Sequence, residues 1–115
     1  MNESILNSVK KGLGPSLIYN EFDADIIMHI NAVLRILNQL GVGIKGFYIT
    51  DDTAKWNDFI PENSNNFHDA ITYTICKVRL MFDPPTNSFL VTNLEKLCSE
   101  LEWRLNVEAD PGDMP

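Results

Sequence analysis

The stretch FDADIIMHINAVLRILNQLG, residues 22–41, carries the clearest structural signal in the chain. Its apolar side chains recur every three or four residues, at Ile26, Ile27, Ile30, Val33, Leu34, Leu37 and Leu40. That spacing predicts an amphipathic helix about 26 Å long, at about 1.5 Å per residue. We expect Asp23 to cap this helix while Phe22 packs on Ile27, and Gly41 to end it. The helix is predicted to be the central strut of the fold.

Shorter elements are predicted on either side of the strut. Residues 5–13 show the same spacing over fewer turns and predict a first helix. The glycine-spaced segment 41–46 predicts an irregular connection after the strut. A brief helix is expected around Trp56, with Asp51 or Asp52 as its cap because aspartate is favoured at that position. A mid-chain loop then leads to the second half of the chain.

The segment 67–82 fits two patterns, because Ile71 and Ile75 lie in a strand-like alternation as well as on a helical stripe. The alternation changes parity at Lys77, and sixteen residues are long for a strand, so a helix is predicted. Apolar side chains also lie off the main stripe of this helix, at Tyr73, Cys76 and Leu80. The helix therefore needs two packing partners, either two neighbouring helices or one helix and another subunit.

Pro84 and Pro85 end that helix, because proline lacks the N–H that a helix interior requires. Thr86 or Asn87 can cap a last helix, whose predicted apolar stripe is Leu90, Leu94, Leu97, Cys98, Leu101 and Leu105. The fold class predicted is all-α, a small bundle of four to five helices with a long central helix, a C-terminal helical hairpin broken by Pro-Pro, and a mid-chain loop. Residues 1–107 are expected to form one domain and residues 108–115 an acidic flexible tail.

The charge of the chain is concentrated in two segments. Its 115 residues contain 9 Lys plus Arg and 16 Asp plus Glu, a formal net charge of -7. Residues 51–62 and residues 108–115 each sum to -3, so the remaining helical frame is nearly balanced. This balance argues against a protein that grips nucleic acid, because such proteins neutralise phosphates with clustered Lys and Arg.

Residue patterns of an enzyme or a metal site are not found in the sequence. His29 and His68 are isolated, and the Asp51–Asp58 segment does not have the spacing of a calcium loop. Cys76 and Cys98 are expected to be reduced and buried. We therefore expect no catalytic activity, no cofactor and no bound metal. No apolar run approaches the roughly 20 residues that cross a bilayer, and no membrane association is expected.

Four motifs carry a resemblance to a known family. They are FDADIIMHINAVL with LGVG downstream (22–43), DDTAKWNDF (51–59), KVRLMFDPP (77–85) and LEWRLN (101–106). The chain resembles the phage head-tail connector family, also called head-completion, adaptor or DNA-packaging proteins, of tailed phages and prophages. The resemblance covers nearly the whole chain apart from the tail, and it brings no catalytic residues.

This resemblance implies an all-helical subunit that forms a homo-oligomeric ring, commonly twelve-fold in the virion, beneath the portal protein. Such a ring extends the DNA channel, helps retain the packaged genome and offers a docking platform to a downstream connector or tail-completion protein. DNA would pass through without sequence-specific binding. The subunit would reside in the bacterial host cytoplasm during assembly and then in the virion at the head-tail vertex.

Two groups of side chains are candidates for these tasks. The predicted subunit or partner interface comprises Trp56, Phe59, Tyr73, Cys76 and Leu80, since a ring needs apolar contacts on every subunit. The predicted acidic channel or loop residues are Asp51, Asp52, Asp58 and Glu62, which would repel the DNA backbone. The alternative function is a small acidic regulatory or inhibitor protein that masks a basic partner, as a DNA mimic or anti-repressor does.

Overall fold

A computed structural model describes residues 3–14 and 20–109, apart from the side chains of Glu108 and Ala109. The five helices in these ranges are α1 (Ile5–Leu13), α2 (Asp23–Gln39), α3 (Trp56–Phe59), α4 (Phe67–Phe82) and α5 (Ser88–Ala109). A short 3-10 turn, Asn20–Phe22, precedes α2. The ranges described contain no strand, only one isolated antiparallel bridge between Ser4 and Lys55. The predicted all-α bundle is confirmed.

Helix α4 lies in the middle of the bundle and packs against α1, α2 and α5. Its apolar surface is wide because it serves three neighbours, and Phe67, Ala70, Tyr73 and Val78 are fully buried. The core continues into α2 through Ile26, Ile30, Val33, Leu34 and Leu37. The sequence left open whether a helix or another subunit covers the second apolar face of α4, and the structure shows that α5 does so.

Helix α2 begins and ends within two residues of the predicted positions. The contacts of Asp23 and Phe22 at its start differ from those predicted. Asp23 is the first helical residue rather than the cap. Its carboxylate pairs with Lys10 of α1, at 2.7 Å, and so ties the two helices together. The Phe22 ring lies edge-on to Phe82 of α4, with ring centroids 6.0 Å apart. The residues expected to stabilise the start of α2 locally therefore make contacts with other helices.

Side-chain amides of α2 hold the connection that follows the helix. The Asn31 amide donates to the Ile49 carbonyl at 3.0 Å and accepts from the Ile49 N–H at 2.8 Å, as a neighbouring strand would. Asn38 donates to the carbonyls of Val42 and Ile44 and accepts from the Gly46 N–H. The N–H and C=O groups of this connection are thus hydrogen-bonded by side chains of α2. No neighbouring strand does this in the described part of the fold.

Replacement of Asn31 by Leu should leave both polar groups of Ile49 unpaired in a partly buried place. We expect a loss of about 1–3 kcal/mol in the free energy of unfolding, because an unmade buried hydrogen bond costs the full desolvation of its groups. Urea unfolding followed by circular dichroism measures this loss. Asn65→Leu at an exposed position before α4 is the control, and an equal effect of the two changes would show that the Asn31 amide is unimportant.

Candidate functional site

The aromatic residues of α3 are core residues. Trp56 is 1 % exposed, and its ring N–H donates to Ser8 Oγ of α1 at 3.1 Å. Phe59 is fully buried against Phe47, with ring centroids 5.4 Å apart. In the folded subunit these two side chains present almost no surface to a partner. Their role in this conformation is to fasten α3 to α1 and to the connection after α2.

Tyr73 is likewise buried within the subunit, between α4 and α5. Its hydroxyl donates to Glu102 of α5 at 2.7 Å, and Lys77 lies 3.8 Å from the same carboxylate. Burial, followed by this carboxylate, raises the pKa of the Tyr73 phenol well above its ordinary value. The hydroxyl therefore stays protonated and acts as a structural donor. The predicted contact role of Tyr73 in a partner interface has no exposed surface to support it.

Cys76 and Leu80 lie one and two turns further along α4 and are partly buried. Leu80 and Cys98 line a shallow groove of about 370 Å³ between α4 and α5, together with Lys77, Met81, Glu95, Ser99 and Glu102. Burial raises the pKa of the Cys76 thiol, and raises that of Cys98 to about 11. Both thiols are therefore protonated at neutral pH, which makes them poor nucleophiles and poor metal ligands.

The four predicted acidic residues are all exposed, and they are close in sequence on one surface segment. Asp51 accepts from the Thr53 hydroxyl at 2.6 Å and from the Thr53 N–H at 2.9 Å, and these bonds lower its pKa. Asp58 accepts from the Lys55 N–H at 2.9 Å at the start of α3. Lys55 is the N-cap residue of this helix, and Asp58 completes a capping box with it. Neither Asp51 nor Asp52 caps α3, which corrects the sequence-based prediction.

Glu62 follows α3 and receives a long hydrogen bond of 3.4 Å from the Asn57 amide. Asp51 and Asp52, at the other side of α3, border a shallow depression at the start of α2 that Asp23 also lines. Asp58 thus has a structural task at the start of α3, whereas Asp51, Asp52 and Glu62 are exposed carboxylates on either side of that helix.

A second exposed surface, on the first half of α5, was not predicted from the sequence. The apolar stripe predicted for this helix is buried only from Cys98 onward, at Cys98, Leu101 and Leu105. Leu90 and Leu97 are exposed, and Phe89 is 70 % exposed. Helix α5 packs mainly on α4. The apolar periodicity of α5 was visible in the sequence. Periodicity does not distinguish a stripe that packs in the core from one that binds a partner.

These exposed residues border an open groove of about 290 Å³. It is lined by Arg79, Pro85, Leu90, Asn93, Leu94 and Leu97. We call it the Arg79 groove. Its side chains come from the end of α4, the Pro-Pro turn and the first three turns of α5. Asn87 holds that start of α5 by accepting from the N–H groups of Phe89 and Leu90, at 2.8 and 3.3 Å, which confirms it as the predicted cap.

Metal-site geometry is absent from the residues that the structure describes, where no three His, Cys, Asp or Glu side chains come together. None of the helices in the described ranges is both long and apolar enough to span a bilayer. What these ranges offer chemically is an acidic exposed segment and an apolar groove, both suited to contacts between macromolecules.

Comparison with known proteins gives one match. A family model described as phage connector protein matches residues 5–112, which is nearly the whole chain. No curated protein and no solved structure matches. The matched family is a structural one, and its members are not typically enzymes. It implies a place at the head-tail vertex of the virion, in association with portal and tail proteins. On this match, and with the all-helical fold that the resemblance predicted, the chain belongs to the phage connector protein family.

Proposed function

We propose that this connector is a head-completion adaptor that assembles as a ring beneath the portal and offers a platform to the next connector or tail-completion protein. The observation that carries this proposal, beside the family match, is the apolar surface that the folded subunit leaves uncovered along the first half of α5. Monomeric proteins rarely expose large contiguous apolar patches unless these bind something. The family match favours this role over the alternative of an acidic inhibitor.

Association with the portal is tested by co-expressing the chain with the portal protein of the same genome. We expect the two proteins to co-purify and electron microscopy to show an additional ring on one end of the portal. The major capsid protein of that genome, used in place of the portal protein, controls for unspecific adhesion. Failure to bind the portal under conditions in which the portal oligomer is intact would contradict the proposal.

We further propose that the exposed acidic segment faces the DNA channel and keeps passing DNA from adhering. Like charges on the wall and on the phosphates repel each other, while the segment forms no site that reads bases. Asp51 is ionised at neutral pH, as an exposed aspartate ordinarily is, and the Thr53 bonds lower its pKa further. The subunit would thereby help to guide the packaged genome through the channel without sequence-specific binding.

Neutralisation of this segment should slow DNA ejection from assembled particles, because the wall loses its repulsion. The triple variant Asp51→Asn, Asp52→Asn and Glu62→Gln leaves the Asp58 cap of α3 in place. The double variant Glu21→Gln and Asp25→Asn removes exposed acids elsewhere and serves as the control. The measurement is genome release over time and the fraction of DNA-filled particles. Particles of the triple variant that match wild type in both would remove the segment from the channel.

A further inference from the structure

The first half of α5 carries more apolar side chains than the subunit itself uses. Residues 88–97 include five apolar residues, none of which is buried: Phe89, Leu90, Val91, Leu94 and Leu97. Half of a ten-residue helical segment is therefore apolar without serving the core. Leu90, Leu94 and Leu97 face the Arg79 groove, which is open to solvent. Burial of such side chains by a partner is favourable by about 25 cal/mol per Å² of apolar surface.

Arg79 gives this groove a charge preference. Within the part of the chain that the structure describes, no carboxylate lies within 4 Å of the Arg79 guanidinium. Its Nε is buried and has no hydrogen-bond partner there. The Arg79 residue as a whole is partly exposed and lines the groove, and a carboxylate is the acceptor that a guanidinium binds best. The groove therefore suits an apolar or aromatic anchor that has an acidic residue nearby.

A segment of this same chain has that composition. Tyr48 is 67 % exposed, and the exposed carboxylates of Asp51 and Asp52 follow three and four residues later. Three residues span at most about 10 Å, so ring and carboxylates can reach one surface together. Neither carboxylate forms an ion pair within the described ranges. Tyrosine is among the residues most enriched at the energetic centres of interfaces. We call residues 48–52 the Tyr48 segment.

The Tyr48 segment and the end of α4 contact different faces of α2. Asn31 of α2 holds the backbone of Ile49, whereas His29 of α2 lies against Phe82 at the end of α4, with ring centroids 5.6 Å apart. Two residues along a helix are about 200° apart around its axis. Ile49 and Phe82 therefore contact nearly opposite faces of α2, and we infer that the groove receives the Tyr48 segment of another copy.

We propose that neighbouring copies of this chain associate head to tail, with Tyr48 of one copy in the Arg79 groove of the next. Its Asp51 or Asp52 pairs with Arg79, while the other of these two carboxylates and Glu62 lie on the channel side of the contact. The contact joins two different surfaces, so it repeats from copy to copy and closes into a ring when the rotation per copy allows it. This inference rests on the proposed function, which requires a ring, and it names the surfaces that build that ring.

The test uses two variants that each destroy one half of the contact. Leu90→Glu places a charge in the groove, and Tyr48→Ala removes the anchor. Both positions are exposed, so the fold should survive, which circular dichroism verifies. Native mass spectrometry and light scattering at high concentration should show oligomers for wild type and monomers for each variant. We expect each change to raise the dissociation constant between copies by tenfold or more, about what loss of an interface anchor costs.

An equimolar mixture of the two variants gives the decisive result. The Leu90→Glu chain retains its Tyr48 segment and the Tyr48→Ala chain retains its groove, so the mixture should form a one-to-one dimer and nothing larger. A symmetric contact between two grooves would give no such rescue. Val107→Glu and Trp103→Ala change exposed residues of α5 that do not line the groove, and they should assemble as wild type does.

The proposed ion pair between Arg79 and Asp51 or Asp52 is tested by exchanging the charges of the two partners. Arg79→Glu should weaken assembly, and the triple variant with Arg79→Glu, Asp51→Arg and Asp52→Arg should restore it. Wild-type chain that stays monomeric at its solubility limit, single variants that assemble normally, or a mixture without dimers would each overturn the proposal.

Portal binding separates this proposal from the proposed function. Under the head-to-tail contact, Leu90→Glu should still bind the portal as single copies while forming no complete ring. If Leu90→Glu loses the portal but keeps its self-association, the groove holds a portal segment and the head-to-tail contact is wrong. If wild type binds no portal but forms rings that the two variants break, the contact stands and the proposed function fails.

Discussion

Replacement of Gly43 by Ala is expected to lower the free energy of unfolding by about 2–5 kcal/mol, from backbone strain together with overpacking. Gly43 has φ +80°, a conformation that costs any residue with a side chain. A Cβ atom there would also overlap the ring of Phe59, which is fully buried. The ring has no room to move because Phe47 packs against it, with centroids 5.4 Å apart. We expect the melting temperature to fall by roughly 10 °C or more.

Gly46 supplies the matched control for this prediction. It has the same φ of +80°, yet a Cβ atom there would meet no atom within 4 Å. Gly46→Ala therefore reports backbone strain alone, for which we expect about 1–2 kcal/mol. The difference between the two variants measures the contact of the connection with Phe59. Equal losses would show that the close approach to the ring has no energetic importance.

Replacement of Tyr73 by Glu is expected to unfold the domain at neutral pH. Tyr73 is fully buried, and its hydroxyl donates to the Glu102 carboxylate. The change places a carboxylate at a fully buried position, next to the partly exposed Glu102 carboxylate, which costs several kcal/mol of a typical stability of about 5–15 kcal/mol. Far-ultraviolet circular dichroism and thermal melting measure the result. Loss of assembly by this variant reports loss of fold, so it cannot identify an interface.

Tyr73→Phe separates the hydrogen bond from the charge. It keeps the ring in the core and removes only the donor to Glu102, which Lys77 still approaches at 3.8 Å. We expect a loss of about 1–2 kcal/mol with the helical content unchanged. A Tyr73→Glu variant that melts within a few degrees of Tyr73→Phe would contradict the burial of this site.

Most of the helices could be predicted from local sequence patterns. Periodic apolar residues and the turn at Pro84 predicted α2, α4 and the hairpin with α5, because helix formation and termination depend on residues a few positions apart. Asn87 was predictable as a cap for the same reason. The acidic exposed segment also followed from the sequence, since charged side chains almost never bury without a partner.

The location of the docking surfaces depended on tertiary packing. The sequence predicted an interface role for the aromatic residues Trp56, Phe59 and Tyr73. In the folded subunit they are covered by α1, by the connection after α2 and by α5, respectively. Leu90 and Leu97 had the spacing of core residues, but the packing of α5, mainly on α4, leaves both of them exposed. Sequence alone determined which side chains are apolar and which helix faces they share. Only the tertiary structure decided which of those faces is covered, because burial depends on neighbours that are distant in the chain and on where each helix ends beside them.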